Sequence, residues 1–324
     1  MINSRQKIKG VIPKVSVAIT LMAATGVLLG TGTLRAAPPA KENKHSVQSS
    51  RPFTIPSKGE IPVAIVISAH AEVLDFCGPL EVFANALTPD GHSLFKPYIV
   101  AASIEPVTVG GGMRVLPDYT FTNAPAPKVV VIPAMGESPV EMTDWIRRVS
   151  DTTDITMSVC TGAFVLAQTG LLDGRPATTH HGGYFRLAGA FPKVQLRRGA
   201  RYVETGNLAT AGGVSSGIDL ALRVVERYAG REQAQTVADL MEYQGQGWLN
   251  PDSNDTYARV PQSTEQKPKC PVCGMLADRS IHLDYDGKTY YFCSEAEKVF
   301  FHAHPAVAKR FLAEDAALRA KKSP

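Results

Sequence analysis

The sequence has few cysteines and almost no excess of charge. Its five thiols among 324 residues are too few and too unevenly placed for a disulfide scaffold, and an odd number leaves at least one unpaired or available to a metal. Because 34 Lys and Arg face 30 Asp and Glu, the net charge is only +4. A chain without a basic domain surface is not expected to have nucleic acid as a partner. No G-x-G-x-x-G motif follows the first strand-like run, so no nucleotide cofactor is predicted.

Long uncharged apolar runs are also scarce, and the clearest one lies at the N-terminus. It extends from Val15 to Leu34, between Lys14 and Arg35, after a basic start and before small residues. This pattern predicts a signal peptide over residues 1–36, with cleavage after Ala36. The alternative is an uncleaved membrane anchor, because about 20 apolar residues can span a bilayer. Either interpretation predicts an exported protein, periplasmic or otherwise extracytoplasmic, because the positive flank stays in the cytoplasm.

A polar linker at 37–60 precedes a region in which β-branched runs alternate with helical patterns up to residue 250. The first run, Ile61 to Ser68, is continuously apolar, as in a parallel strand buried on both faces. Further strand-like runs are Tyr98–Ala101, Val129–Ile132 and Ile155–Val159, and the helical patterns are Pro79–Leu87, Pro139–Val149, Gly162–Leu172, Gly217–Tyr228 and Glu232–Tyr243. The alternation predicts an α/β domain over 61–250 with a parallel sheet covered on both sides.

Cys160 lies where a buried strand is predicted to end and a helix to begin. A nucleophile at such a position is held on a tight turn, as in the G-x-S-x-G elbow. The N-terminus of the following helix favours thiolate over thiol, and its free N–H groups can bind an oxyanion. Gly162 allows the helix to start close to the strand. The alternative is a buried structural cysteine, which is common in proteins.

The stretch from Ser158 to His180 resembles the ThiJ/PfpI superfamily, within the class I glutamine amidotransferase-like fold, and is most similar to isocyanide hydratases. Three further stretches carry this resemblance: Leu74–Phe83, Gly206–Ala221 and Glu242–Tyr243. The resemblance implies a flavodoxin-like parallel sheet sandwich, a small-molecule ligand or substrate, and a homodimer. It also implies that Cys160 attacks the isocyanide carbon, that Asp75 on the loop after the first strand handles the proton, and that Thr161 helps to place water.

Two departures from the resemblance bear on function. Thr161 and Asp75 stand where proteases and glyoxalase-like relatives often have His and Glu, which argues against both of those activities. Pro133-Ala134-Met135 replaces a common Pro-Gly-Gly, so side chains occupy a position where bare backbone would approach the substrate. This change favours a second interpretation, a non-catalytic protein that binds a small ligand or senses oxidation or heavy metals. His180, near the elbow, is a candidate for the site or a structural histidine.

A second linker at 251–268 precedes a cysteine-containing module. Cys270 and Cys273 form a C-x-x-C turn, and Cys293 follows twenty residues later. Three thiolates suit a soft metal ion, copper or zinc. The alternative is a disulfide between Cys270 and Cys273 that leaves Cys293 free.

The module resembles the YHS domain over residues 269–312, and a tail at 313–324 follows it. The resemblance includes Phe300 and Pro305, and it implies metal binding. Relatives often carry a second cysteine four residues after the position of Cys293, where this chain has Glu297. The candidates for a fourth ligand are Met275, His282, His302 and His304.

Overall fold

The computed structural model describes residues 52–57, 59–259 and 263–320. The predicted signal peptide or anchor at 1–36 and most of the predicted linker at 37–60 lie outside these ranges. Among the described residues, no helix combines the length and the apolar character needed to cross a bilayer.

A seven-stranded, mostly parallel sheet forms the centre of the molecule. In spatial order its strands are β10 (Tyr202–Thr205), β11 (Leu208–Ala211), β7 (Ile155–Ser158), β6 (Val129–Ile132), β1 (Ile61–Val66), β2 (Phe95–Ala101) and β5 (Tyr119–Thr120). Neighbouring strands are parallel except for the β10–β11 pair. Three two-stranded ribbons add β3 (Val107–Thr108) with β4 (Arg114–Val115), β8 (Pro176–Ala177) with β9 (Gln195–Leu196), and β12 (Asp278–Tyr285) with β13 (Lys288–Phe292).

Helices cover both faces of the sheet. The helices are α1 (Val73–Ala84), α2 (Val140–Ser150), α3 (Gly162–Gln168), α4 (Tyr184–Ala190), α5 (Ser216–Leu240), α6 (Glu295–Ala303) and α7 (Pro305–Ala320). Side chains of β1 alternate between two cores: Val63 and Ile65 pack with α1 and α5, whereas Ala64 and Val66 pack with α2 and α3. This double burial explains why the β1 sequence is apolar at every position. The predicted flavodoxin-like α/β fold is confirmed.

Helix α1 differs from its prediction. It begins at Val73, six residues before Pro79, and therefore contains a proline in its interior. Pro79 is buried, and a Cβ atom added at Gly217 of α5 would lie 3.3 Å from its ring, so α1 and α5 pack closely at this point. The earlier start places Asp75 in the first turn of a helix, and not on a loop as the resemblance implied. A proline inside a helix removes one backbone hydrogen bond, which is why the sequence pattern favoured a start at Pro79.

The C-terminal module packs directly on the α/β domain. Its β12–β13 ribbon turns at Asp286 and Gly287, which both have positive φ, as a two-residue hairpin turn requires. One core joins α4 with the module and contains Tyr184, Phe185, Ala188, Cys270, Val272, Phe292, Phe301, Ala308 and Phe311. Helix α7 continues through the predicted boundary at 312/313, and its buried Asp315 pairs with Arg198.

Candidate functional site

The structure places Cys160 on a strand-to-helix turn, as the sequence predicts. β7 ends at Ser158, α3 begins at Gly162, and Cys160 between them has a positive φ of 57°. A Cβ atom at Gly162 would lie 2.2 Å from the carbonyl oxygen of Ile132, closer than any atoms can approach without a shift. The glycine is therefore required for the close approach of α3 to β6, and the strained backbone at Cys160 is typical of a functional site.

Asp75 lies beside this turn and is fully buried. Its Oδ2 accepts a hydrogen bond from the N–H of Ala134 at 3.0 Å. Its Oδ1 makes no well-formed hydrogen bond, although the carboxyl is close enough to the Cys160 thiol for each group to affect the pKa of the other. Burial raises the pKa of Asp75 to about 7, and the nearby Glu72 adds to the rise. A carboxyl group with this pKa can both accept and return a proton at neutral pH.

The Cys160 thiol is protonated at neutral pH. Burial and the charge of Asp75 raise its pKa to about 12, and these effects outweigh the N–H groups of Val214 and Thr161, which favour the thiolate. The N–H groups at the start of α3 thus favour the thiolate, as the sequence predicts, but in the resting site the burial of the sulfur and the facing acid outweigh them. The residue is 7% exposed. Sulfur chemistry at this site requires that Asp75 or another base removes the proton.

Thr161 and Ala134 complete the surroundings of the sulfur. The N–H of Thr161 points to the sulfur, while its half-buried side chain makes no hydrogen bond that caps α3. The backbone of Ala134 is bonded on both sides, because its N–H donates to Asp75 and its carbonyl accepts the N–H of Glu72 at 2.8 Å. Ala134, in the segment that replaces Pro-Gly-Gly, thus holds Asp75 in place, and the N–H of Ala134 is occupied by this bond.

A pocket of about 240 Å³ lies next to the elbow. Val214 lines this pocket and also donates its N–H to the sulfur of Cys160, and Leu74 of the pocket wall directly precedes Asp75. The lining residues are Leu74, His180, His181, Tyr184, Arg201, Gly213, Val214, Ser215, Asn254 and Tyr257. Burial lowers the pKa of His180, whose Nδ1 accepts the N–H of Gly182 at 3.1 Å. His180 is thus a neutral histidine with a structural bond on one nitrogen.

Asn254 and Tyr257 are pocket residues that the sequence interpretation missed, since both lie in the segment predicted as a linker. Tyr257 stacks on His181 with ring centroids 5.0 Å apart. Asn254 is buried and accepts a hydrogen bond from Arg201 at 3.3 Å. A polar stretch rich in Pro, Ser and Asn gives no periodic signal, so only the structure shows that its first half closes a pocket.

A larger pocket of about 400 Å³ lies over the carboxyl ends of β1 and β2. Its polar wall includes His70, which has a positive φ of 61°, and Glu137, whose carbonyl accepts a hydrogen bond from Ser68 at 2.5 Å. In open α/β sheets, this edge is where ligands bind. Cys160 follows the carboxyl end of β7, and Val214 of the first pocket follows the carboxyl end of β11. Both pockets therefore lie at the same edge of the sheet as the elbow.

The structure brings Cys270, Cys273 and Cys293 together. Their sulfur atoms all lie within 4.8 Å of one another, and those of Cys273 and Cys293 are 3.5 Å apart. Gly274, with φ 77°, turns the chain so that its N–H donates to the carbonyl of Cys270 at 2.8 Å. The Cys273 thiol and nearby backbone N–H groups donate to Cys270 and lower the pKa of its thiol.

This donor set fits a metal ion. Tetrahedral zinc with Zn–S bonds of about 2.3 Å needs sulfur atoms about 3.8 Å apart, which small shifts of these side chains provide. All five cysteines are unpaired, so the alternative Cys270–Cys273 disulfide is not formed. Among the described residues, the group within 4.8 Å contains no histidine, and the Met275 side chain is exposed. His304, for example, is stacked on Phe300, with its Nδ1 2.7 Å from the carbonyl oxygen of that residue.

Comparisons with known proteins match two separate parts of the chain. The model of the DJ-1/PfpI family matches residues 62–227, and that of the YHS domain matches residues 269–307. An isonitrile hydratase of Pseudomonas putida is 32% identical over 188 residues, which cover 56% of this chain and 78% of that protein. A crystal structure of a ThiJ/PfpI family protein from Pseudomonas syringae is 27% identical, with a TM-score of 0.52 over 64% of this chain and 84% of that chain.

A regulator is also similar to this chain. The HTH-type transcriptional regulator CdhR of Pseudomonas aeruginosa is 28% identical over 167 residues, which cover 50% of this chain and 48% of the regulator. The chain thus spans about half of that protein. The α/β domain is therefore similar both to a named enzyme and to part of a named regulator.

Proposed function

Because the chain belongs to the DJ-1/PfpI family and carries a YHS domain, we propose that it hydrates isocyanide-like small molecules at Cys160. The observation that carries this proposal is the buried Asp75, whose pKa of about 7 suits proton transfer to and from the neighbouring thiol. The similarity to an isonitrile hydratase over 78% of its length supports the same substrate class.

The proposed reaction needs one proton carrier and one water. Asp75 takes the proton of Cys160 as the sulfur attacks the terminal carbon of R–N≡C, and it returns the proton to that carbon, giving the thioimidate Cys–S–CH=N–R. Water then adds to the same carbon, and its proton goes to nitrogen. The C–S bond breaks, the hydroxyl proton returns to sulfur, and the product is the N-substituted formamide R–NH–CHO. We place Thr161 as the residue that positions the water.

The test is hydration of an alkyl isocyanide by the wild type and by Cys160→Ala and Asp75→Asn variants. Both variants should lose at least about 100-fold in kcat/KM, because each removes a group that handles the reacting atoms. A Cys77→Ala variant is the matched control, because it removes a free thiol of α1 two residues after Asp75 and should keep full activity. Absence of any turnover by the wild type would reject the enzyme proposal.

A second candidate is a non-catalytic protein that binds a small ligand or senses oxidants or heavy metals. Its support is the low exposure of Cys160 and the high pKa of its thiol, together with the similarity to a regulator. Ligand-dependent protection of Cys160 from alkylation, without turnover of any isocyanide, would favour this candidate.

For the YHS domain, we propose that Cys270, Cys273 and Cys293 bind a soft metal ion, Cu(I) or Zn(II). Such an ion supplies a cross-link that stabilises the small domain. Metal content after purification under reducing conditions tests the proposal. Cys293→Ser should lose the metal, whereas Cys77→Ser should retain it.

We also propose that the protein is exported, that it binds a small-molecule ligand or substrate, and that two copies of the chain form a homodimer. Export is supported by the basic start and apolar run within residues 1–36, and cell fractionation of chains with and without these residues tests it. The dimer is supported only by family resemblance. Light scattering of the purified chain would reject the dimer if the mass were that of a single chain.

A further inference from the structure

Glu297 is a buried acidic residue beside the cysteine cluster. It is the third residue of α6, four positions after Cys293, and is 8% exposed. Its side chain is near enough to Cys293 for the two groups to interact electrostatically. No reaction or ligand described above uses this carboxylate.

The two carboxylate oxygens of Glu297 have different surroundings. Oε1 accepts a hydrogen bond from Arg186 Nε at 2.9 Å. Oε2 is buried and has no hydrogen-bonding partner among the described residues. Buried carboxylate oxygens without partners are costly, and such an atom calls for an explanation.

Helix capping does not account for Oε2. Ser294-Glu-Ala-Glu297 has the sequence of a capping box, and the Ser294 hydroxyl accepts the N–H of Glu297 at 3.3 Å. In a complete box, the glutamate side chain would bond in return to the backbone N–H of the serine. Here that return bond is absent, because Arg186 holds the side chain in another direction.

We propose that Glu297 Oε2 is the fourth ligand of the metal ion held by Cys270, Cys273 and Cys293. This assignment rests on the proposed metal binding by the cysteine cluster. In the structure, the carboxylate lies outside the group of sulfurs within 4.8 Å, so its side chain turns toward the cluster when the ion binds. Arg186 keeps its bond to Oε1 and orients the ligand, as partners of metal ligands do.

The carboxylate makes the site selective for a divalent ion. Cu(I) is soft and is satisfied by thiolates, whereas Zn(II) is borderline and accepts sulfur and oxygen ligands in a closed tetrahedron. Three thiolates and one carboxylate place four negative charges around the ion. Arg186 is present whichever ion binds, so a divalent cation offsets one unit more of this charge than Cu(I) does.

The test compares Glu297→Gln with Glu295→Gln in the full chain, both purified under reducing conditions. Glu295 is the matched control, because it lies in the same helical turn but is exposed and paired only with Lys298. Competition with chromophoric chelators gives the Zn(II) and Cu(I) affinities separately. Glu297→Gln should weaken Zn(II) binding about 10- to 100-fold and leave Cu(I) binding unchanged. Glu295→Gln should change neither affinity.

A second variant guards against a folding defect. Glu297→Cys should retain Zn(II) binding. When loaded with Co(II), this variant should show the sulfur-to-cobalt charge-transfer absorption of four thiolates, whereas the wild type should show the weaker absorption of three. If the wild type binds no Zn(II), both the metal function and the assignment of Glu297 fall. If it binds Zn(II) and Glu297→Gln binds equally well, or if Cu(I) affinity falls by the same factor, only the assignment is wrong.

Discussion

At the scale of single residues, burial controls the chemistry of the elbow. It raises the pKa values of both Cys160 and Asp75, so the carboxyl carries less charge than it would in water and the thiol is harder to ionise. The thiol keeps its proton, while the carboxyl is half protonated near neutral pH. The pair therefore combines a protonated thiol with a carboxyl that can exchange its proton near neutral pH, and this arrangement costs some stability.

The raised pKa of Asp75 predicts a stability cost that grows with pH. The folded protein binds the Asp75 proton up to about pH 7, whereas the unfolded chain releases it near 3.8. The contribution of Asp75 to stability therefore falls as pH rises from about 4 to 7, by up to about 4 kcal/mol. Asp75→Asn lacks this loss, so its stability relative to the wild type should rise by this amount between pH 4 and pH 8, as measured by urea unfolding.

The control for this measurement is Asp173→Asn, an exposed carboxylate paired with Lys193. Removing such an exposed pair should change the free energy of unfolding by less than about 1 kcal/mol at either pH. A difference between Asp75→Asn and the wild type that is the same at pH 4 and pH 8 would show that the pKa of Asp75 is not raised.

The same elbow predicts a strong requirement for glycine at 162. Gly162→Ala forces a Cβ atom against the Ile132 carbonyl and should lower the free energy of unfolding by about 2 to 4 kcal/mol, with loss of any activity at Cys160. Gly174→Ala is the control, because its Cβ meets open space and only its positive φ of 72° is unfavourable, at about 1 kcal/mol. Equal losses in the two variants, measured by chemical denaturation, would contradict the close packing.

How far the sequence predicts the site differs from residue to residue. Cys160 and Gly162 are predictable because their spacing follows from the strand-to-helix turn. The bond from the Ala134 N–H to Asp75 is not, because it joins segments 59 positions apart. The raised pKa of Cys160 is likewise invisible in the sequence, where the helix N-terminus is apparent but the burial of the sulfur is not.

At the scale of elements, the strands β1, β2, β6 and β7 and the helix α2 were predicted well, whereas β5, β10 and β11 of the sheet and the short helix α4 were missed. β6 occupies the predicted Val129–Ile132 without change, since four consecutive apolar β-branched residues fit few other structures. α4 has only seven residues, and glycines precede and interrupt it. Its apolar side packs on the C-terminal module, so the helix has no periodic signal that belongs to the α/β core.

Helix α7 depends on a buried ion pair with the α/β domain. Arg198 is largely buried, contacts Glu314 at 3.0 Å and Asp315, and lies over the ring of Phe311 at 4.5 Å. Arg198→Ala leaves Asp315 buried without its partner and should cost about 3 to 5 kcal/mol of unfolding free energy. Lys193→Ala, which removes an exposed pair with Asp173, should cost less than about 1 kcal/mol. Similar values for the two variants in urea unfolding would indicate that α7 is not held by Arg198.

At the scale of the whole molecule, the sequence predicted two regions joined by a linker, but it did not predict that they pack together. Composition separates the regions clearly, because cysteines and aromatic residues cluster only after residue 268. Their contact depends on matching surfaces, which a single sequence does not reveal. The sequence suggested that the aromatic residues after 268 form the core of an independent module. In the structure they enclose Phe185 of α4, whose ring centroid lies 5.5 Å from that of Phe301 and 5.3 Å from that of Phe311.

This shared core predicts that the α/β domain is incomplete without the module. A chain that ends at Arg259 uncovers Phe185 and the rest of the apolar side of α4, so it should unfold at lower urea concentration and bind a hydrophobic dye. Phe185→Ser separates this cause from others, because its effect on stability should be large in the full chain and small in the shortened one. In the full chain it removes a buried ring and should cost about 3 to 5 kcal/mol, whereas in the shortened chain it should reduce dye binding and leave stability nearly unchanged. A shortened chain that is as stable as the full chain and binds no dye would mean that α4 does not need the module.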